Sequence, residues 1–165
     1  MKQKIFVYGT LRKGMYNYDI YLRDEDSFRR YGYIKGSLMT LKDKTYPAFL
    51  QEGHDMILGE IHEVNEKTVQ MIDELEEYYG EGNIDNFYNK EICDIYDENG
   101  QVIDHLPVYV FNMSNRCYFS LIEDHIETND YVKYIQQKKE GKKSLLDFEM
   151  IEEEWLCVKS GGLSE

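Results

Sequence analysis

The sequence predicts an α+β domain, in which several strands are interspersed with a few amphipathic helices. Short apolar segments bounded by turn residues indicate strands, and they do not alternate with helices in the strict order of a parallel sheet. Fifteen tyrosines and seven phenylalanines among 165 residues strengthen the strand prediction, because aromatic side chains favour sheets. A chain of this length suits one domain with a single sizeable core.

The first predicted strand, Ile5–Tyr8, is a short apolar run that stops at Gly9. Gly9 and Gly14 tolerate backbone conformations that other residues reach only at a cost. A strand that runs into such a turn can bring several backbone N–H groups to one spot, where they hold an anionic group. A short helix is predicted next, over Met15–Leu22, with Asn17 as its cap.

The middle of the chain is predicted to contain strands followed by one clear helix. The elements are a connection over Arg23–Arg30, a bent strand over Tyr31–Leu41, a strand start or edge at Tyr46–Leu50, a turn over Gln51–Asp55, and a strand over Met56–Val64. Asn65 is a good N-cap for a helix that reaches about Tyr79. Its apolar stripe comprises Val69, Ile72, Leu75 and Tyr79.

Two strands, Phe87–Tyr96 and Pro107–Met113, are predicted in the second half of the chain. The Asn99-Gly100 pair is a tight-turn signal between them, although it could instead close a further short strand over Gln101–Ile103. A helix is predicted over Asn129–Lys138, and a second amphipathic helix near the C-terminus contains Trp155. We therefore expect one domain over residues 1–136 and a helical extension over 137–165 that packs on it.

The charge balance excludes some classes of partner. Thirty-two acidic and nineteen basic residues give a formal charge of -13, which argues against nucleic acid as a partner. The three cysteines show no CxxC spacing, so neither a disulfide framework nor a zinc site is implied. No apolar run has the length of a secretory signal or a membrane span. These features predict a cytoplasmic protein with no membrane partner.

Glu76 is the one carboxylate at an unexpected position. It follows Ile72 by four residues and Val69 by seven, which places it on the inward-facing stripe of its helix. An inward carboxylate is disfavoured unless it is paired, hydrogen-bonded or protonated, and burial raises its pKa toward the range of a general base or acid. An Arg or Lys partner, or a stripe edge that reaches water, is the alternative explanation.

Other candidate site residues carry weaker signals. The four histidines lack metal-ligand spacing, so no metal site is predicted. No serine lies in a nucleophile elbow and no cysteine has a nucleophile signature around it. Tyr8 and Tyr88 could donate hydrogen bonds in a site, but a core role is the default for a tyrosine in this chain.

Seven segments, in order between about residues 5 and 135, resemble the γ-glutamylcyclotransferase-like family. They are Tyr8-Gly9-Thr10-Leu11, Tyr46-Pro47-Ala48, Gly59-Glu60-Ile61, Ile72-Asp73-Glu74-Leu75-Glu76, Tyr88-Asn89-Lys90, Val108-Tyr109-Val110-Phe111 and Asn129-Asp130-Tyr131. The most similar branch contains γ-glutamylamine cyclotransferase and the butirosin-pathway enzyme. Two features depart from the family: Glu77 stands where a glycine is frequent, and the tail beyond about residue 136 has no counterpart.

The resemblance implies a small mixed β-barrel with flanking helices and a cofactor-independent, metal-free enzyme that releases 5-oxoproline and an amine from a small γ-glutamyl substrate. It implies Glu76 as general base and acid, with Tyr8, Gly9, Thr10, Leu11 and Tyr88 binding the glutamyl group. The tail could cover the core or support a homodimer. The alternatives are a non-catalytic binder of a small carboxylate or γ-glutamyl-like ligand and, more remotely, an interaction protein acting through its acidic surface.

Overall fold

The computed structural model describes residues 1–143, which form six strands and four helical segments. They are, in chain order, β1 (Lys2–Val7), α1 (Tyr16–Tyr21), β2 (Phe28–Leu41), β3 (Ala48–Asn65), α2 (Glu66–Leu75), β4 (Tyr88–Tyr96), β5 (Val102–Phe111), α3 (Arg116–Phe119), β6 (Ile122–His125) and a helix over residues 131–143. The α+β class predicted from the sequence is confirmed.

The strands form one sheet in the order β1-β3-β2-β4-β5, and β6 pairs with β2. Every pairing among the described strands is antiparallel, so the strand directions differ from the mixed arrangement expected. The two end strands approach each other. Lys4 forms an ion pair with Asp104 at 3.2 Å, and the Tyr8 hydroxyl donates to the Tyr109 carbonyl at 2.6 Å. The sheet therefore curls toward the expected small barrel.

One core connects the elements that surround the end of β1. Ile5 and Val7 of β1, Ile72 of α2 and Phe111 of β5 belong to the same buried apolar cluster. Burial of such side chains stabilises the fold by about 1.5–3 kcal/mol each. The C-terminal end of α2 is thereby fixed near the turn that follows β1.

The predicted turn Gln51–Asp55 lies inside one continuous strand, β3. The register with β2 jumps there, from Gly36 opposite Asp55 to Ser37 opposite Leu50, so several β3 residues bulge out without ending the strand. Gly36 permits this close approach, because a Cβ at that position would lie 2.2 Å from the Leu50 carbonyl oxygen.

Helix α2 begins as predicted and ends earlier than predicted. The Asn65 side chain accepts a hydrogen bond from the Thr68 N–H at 2.8 Å, which confirms the cap. At the other end, the N–H groups of residues 77 and 78 donate back to the carbonyls of residues 74 and 73, at 3.1 and 2.9 Å. Glu77 adopts φ +52°, the left-handed conformation that closes a Schellman motif and usually falls to glycine. Tyr79, predicted on the apolar stripe, is instead 60% exposed.

Other predicted boundaries differ locally. Asn17 lies within α1, whose N-cap is Met15, so the predicted cap is wrong. The Asn99-Gly100 turn joins the two long strands directly, with Tyr96 opposite Val102. The four-residue elements α3 and β6 were missed, because they bury no residue fully and leave no apolar period in the sequence.

A first compact unit comprises Met1–Val132, and residues 133–143 belong to a second. The division at residue 136 stays a prediction. Most of the expected C-terminal extension, including Trp155, lies outside the described residues. Among residues 1–143, no helix is long and apolar enough to cross a membrane.

Candidate active site

A cavity of about 190 Å³ opens beside the turn that follows β1. Its walls come from this turn, from the C-terminal end of α2, from the Tyr46-Pro47 segment before β3, and from strands β4 and β5. All the site residues predicted from the sequence line it: Tyr8, Gly9, Thr10, Leu11, Glu76 and Tyr88. Residues that are far apart in the chain are thus brought to one concave surface.

The turn is shaped by close packing at Gly9 and by backbone conformation at Gly14. A Cβ on Gly9 would lie 3.0 Å from Pro47 Cδ, so the absence of a side chain lets the proline close one wall of the cavity. Of the two glycines of this turn, Gly14 has a positive φ, +92°, and Gly9 does not. The argument from conformational freedom therefore holds for Gly14 alone. The Arg12 N–H donates to the Gly9 carbonyl at 3.1 Å and tightens the turn.

The N–H groups of Gly9, Thr10 and Leu11 donate to no acceptor within residues 1–143, although all three residues are buried. Buried backbone N–H groups are seldom left unpaired. Polar bonds of this segment run elsewhere: Asn17 Nδ2 donates to Thr10 Oγ1 at 2.8 Å, and the Tyr18 N–H donates to the Thr10 carbonyl at 3.2 Å. Three unpaired donors in succession beside a cavity suit an anionic oxygen.

Glu76 is the C-cap of α2 and faces the same cavity. Within the described part of the chain, its carboxylate has neither a hydrogen-bond donor nor an ion-pair partner. Burial raises the pKa of Glu76 to about 8, and the nearby carboxylates of Asp73 and Glu77 add to the effect. A group with such a pKa can both take up and release a proton near neutral pH.

Replacing Glu76 with glutamine is expected to stabilise the protein at high pH. The folded pKa, about 8, lies above the ordinary value of 4.5, so the fold favours the protonated form. The contribution of Glu76 to the free energy of unfolding is therefore fully present below pH 4.5 and is lost as the pH rises through about 8. The amide of the variant does not titrate, so its contribution does not change with pH. The variant should gain about 3–5 kcal/mol in unfolding free energy at pH 9 and almost nothing at pH 4.5.

Urea unfolding at both pH values measures this difference. Glu74→Gln is the matched control, because Glu74 is exposed on the same helix and does not line the cavity. If Glu76→Gln changes the unfolding free energy by the same amount at both pH values, the pKa of Glu76 is ordinary.

The two tyrosines predicted as substrate donors direct their hydroxyl protons to the backbone. Tyr8 donates to the Tyr109 carbonyl at 2.6 Å, and Tyr88 donates to the Pro47 carbonyl at 2.5 Å. Burial raises the pKa of both hydroxyls, and the charge of Glu76 adds to this, so both tyrosines remain neutral. In this structure both side chains line the cavity and Tyr88 holds Pro47 in place, so the hydroxyl protons of both tyrosines are already engaged.

A buried network that the sequence did not single out anchors the turn from behind. Arg12, only 5% exposed, donates to Glu60 at 3.0 Å and to Asp130 at 2.7 Å, and the Lys13 N–H donates to Glu60 at 3.0 Å. His62 completes the set through a 2.9 Å contact with Glu60. Burial alone would raise the pKa of Glu60, but the hydrogen bonds from His62, Lys13 and Arg12 outweigh it and hold the pKa below its ordinary value.

Ser27, His62 and Glu60 form a hydrogen-bonded series that superficially resembles a hydrolase triad. Ser27 Oγ lies 2.7 Å from His62 Nδ1, and His62 Nε2 lies 2.9 Å from Glu60 Oε1. All three residues are at most 1% exposed and none lines the cavity. A serine that no substrate can reach cannot act as a nucleophile, so the series is structural.

Asp73, one turn before Glu76, lies in a second polar cluster. It accepts a hydrogen bond from the Tyr109 hydroxyl at 2.5 Å and forms an ion pair with Lys90 at 2.6 Å. The Lys90 ammonium also lies over the ring of Tyr78. The sequence left open whether Asp73 pairs with a lysine, and this pair answers it.

No group of three or more His, Cys, Asp or Glu side chains within residues 1–143 could hold a metal ion. Cys93 and Cys117 are free thiols, and Cys157 lies outside the described residues.

Known proteins resemble this chain in sequence and fold. Residues 5–133 match the family model described as gamma-glutamyl cyclotransferase, AIG2-like. The chain is 35% identical over 140 residues to gamma-L-glutamyl-butirosin B gamma-glutamyl cyclotransferase of Niallia circulans, covering 83% of this chain and 80% of the relative. It is 33% identical over 98 residues to a putative gamma-glutamylcyclotransferase of Methanocaldococcus jannaschii, covering 59% and 77%.

Two solved structures share the fold. A crystal structure of an AIG2-like protein from Mus musculus has a TM-score of 0.55 at 23% identity, covering 76% of this chain and 88% of that one. A protein from Pyrococcus horikoshii has a TM-score of 0.57 at 22% identity, covering 83% and 96%. The family prediction made from the seven sequence segments is confirmed: the chain belongs to the γ-glutamyl cyclotransferase, AIG2-like family.

Proposed function

We propose that this protein cyclises a γ-glutamyl amine, releasing 5-oxoproline and the free amine. The observation that carries the proposal is that one cavity holds a carboxyl group with a pKa of about 8 and three backbone N–H groups, none of which has a partner within residues 1–143. Membership of the family and the relative from Niallia circulans support the same reaction class.

The reaction joins two ends of one group. The α-amine nitrogen of the glutamyl group attacks its own γ-amide carbon, a C–N bond forms, and the bond from that carbon to the amine nitrogen breaks. Both reacting atoms belong to one molecule, so the cavity has to hold a cyclisable conformer, and correct positioning of this kind can supply about 7–11 kcal/mol of the barrier. The volume of about 190 Å³ suits this small half of the substrate, since cavities for drug-sized ligands measure about 300–1,000 Å³.

Glu76 is the proposed base and acid. The attacking amine must lose a proton and the departing nitrogen must gain one, so a single carboxyl group can carry the proton from one to the other. A pKa of about 8 keeps both protonation states available near neutral pH. The ammonium group of an arriving substrate would favour the ionised state, because an opposite charge within a few Å lowers the pKa of a carboxyl group.

The turn is the proposed binding element. The N–H groups of Gly9, Thr10 and Leu11 would hold the glutamyl α-carboxylate or the oxygen that becomes negative as the ring closes. Tyr8 and Tyr88 would act as neutral walls, in keeping with the direction of their hydroxyl protons. No step in this scheme is assigned to a cofactor.

A panel of γ-glutamyl amines and peptides, assayed for 5-oxoproline by mass spectrometry, tests the proposal. We expect release of 5-oxoproline and an equal amount of amine from at least one member. If calorimetry shows that panel members bind in the cavity but none is turned over, the protein is the non-catalytic binder considered as the alternative. The carboxyl group of Glu76, which has no partner in the described part of the chain, and the cavity beside Gly9 favour the enzyme.

A further inference from the structure

The cavity has an inner part and an outer rim that differ in exposure. The inner part is lined by the buried residues Tyr8, Gly9 and Tyr88. The rim consists of Tyr16, which is 46% exposed, the half-buried Tyr46 and the exposed Glu77. If the glutamyl group occupies the inner part, as the proposed function requires, the amine half of the substrate must lie against this rim and leave past it.

The rim carries negative charge and aromatic surface. Among the described residues that line the cavity there is no lysine, arginine or histidine. Within residues 1–143, the Glu77 side chain forms no hydrogen bond or ion pair. Its carboxylate acts on Tyr46: burial raises the pKa of the Tyr46 hydroxyl, and the charge of Glu77 is the next cause. Both residues line the same cavity.

The rim residues are held in place before any ligand arrives. The Tyr16 hydroxyl lies 3.0 Å from Thr45 Oγ1, and the Tyr46 ring packs edge-on against Phe87 with ring centroids 5.9 Å apart. The backbone of Glu77 is held in the left-handed position that ends α2, so its side chain leaves the chain from a defined point at the rim. Residues other than glycine or asparagine are strained in that position.

We infer that Glu77, together with the rings of Tyr16 and Tyr46, selects substrates whose amine half carries a positive charge. An ammonium group near the rim gains attraction to the Glu77 carboxylate and to the tyrosine faces. An amine half that carries a carboxylate is repelled by the Glu77 carboxylate. This inference rests on the proposed function, and it adds the chemical class of the leaving amine.

Three γ-glutamyl amides of equal length test the inference: those of 1,5-diaminopentane, pentylamine and 5-aminopentanoate, which present a positive, a neutral and a negative end. We expect kcat/KM at low salt to be about tenfold higher for the positive than for the neutral amide, and lowest for the negative one. The difference should lie mainly in KM and should shrink at 0.5 M NaCl, because salt screens exposed charges.

Each variant is compared with the wild type by one ratio, kcat/KM for the positive amide divided by kcat/KM for the neutral amide. A change in the chemistry at Glu76 affects both amides alike and cancels in this ratio. Glu77→Gln should reduce this ratio about fivefold, and Glu77→Lys should place the negative amide above the positive one. Glu74→Gln removes the same charge from an exposed site outside the cavity and should leave the ratio unchanged. A wild-type ratio near one, or a ratio that survives in Glu77→Gln, overturns the inference. If neither these three amides nor any member of the wider panel yields 5-oxoproline, the proposed function itself fails.

Discussion

Replacing Glu76 with glutamine is expected to lower kcat/KM for 5-oxoproline release by about 10³-fold. General acid–base catalysis typically contributes about 10²–10⁴-fold. Two carboxyl groups near Glu76 within the described chain are less suited to replace it. Asp73 is engaged by Lys90 and Tyr109, and Glu77 lies at the exposed rim. The amide keeps the size and polarity of the side chain, so the loss should appear in kcat with little change in KM.

Two measurements separate a chemical loss from a structural one. The urea unfolding described above should show Glu76→Gln to be at least as stable as the wild type, so lower activity cannot be ascribed to unfolding. Glu74→Gln should retain wild-type kinetics. If Glu76→Gln turns over a confirmed substrate at near the wild-type rate, Glu76 is not the base, and the proton must be carried by another group or by water.

The sequence allowed residues that line the cavity to be predicted better than the contacts that surround them. Tyr8–Leu11 and Glu76 carry local signals, namely a strand that ends at a glycine and a carboxylate on an apolar stripe. Residues that are far apart in the chain share one cavity because β1, α2 and β4 pack around one core, and that arrangement was expected only from the family resemblance. The direction of the Tyr8 and Tyr88 hydroxyls depends on carbonyls elsewhere in the fold, which no local pattern reveals.

The mistakes have a common physical origin, which is that tertiary contacts override local preference. A run of polar residues over 51–55 favours a turn. Because β3 pairs with β2 both before and after this run, the residues stay within the strand. The stripe of α2 was extended to Tyr79 because side-chain periodicity cannot show where a left-handed residue ends the helix. The Arg12–Glu60 pair was invisible for a similar reason: a charged residue next to a turn normally faces water, and only the fold shows that both partners are buried.

Replacing Arg12 with methionine is expected to destabilise the protein by about 3–5 kcal/mol, the usual cost of removing one partner from a buried ion pair. Glu60 and Asp130 would lose their bonds to the guanidinium, and the turn that carries the N–H groups of Gly9, Thr10 and Leu11 would lose its anchor. For a chain of this size the melting temperature should fall by about 6–20 °C. Activity measured well below that temperature should fall as well, mainly through KM, because the displaced turn would bind the glutamyl group less well.

Urea unfolding of Arg12→Met, Glu60→Gln and the double variant measures the coupling between the two side chains. We expect the double variant to be about 1–3 kcal/mol more stable than the sum of the single losses predicts, because the second substitution removes a charge that the first left unpaired. Arg30→Met is the matched control, since its 3.7 Å pair with Glu98 is exposed and should be worth less than about 1 kcal/mol. A loss in Arg12→Met as small as that of the control would mean that His62 and the Lys13 N–H suffice to hold Glu60, and that the turn keeps its shape without the ion pair.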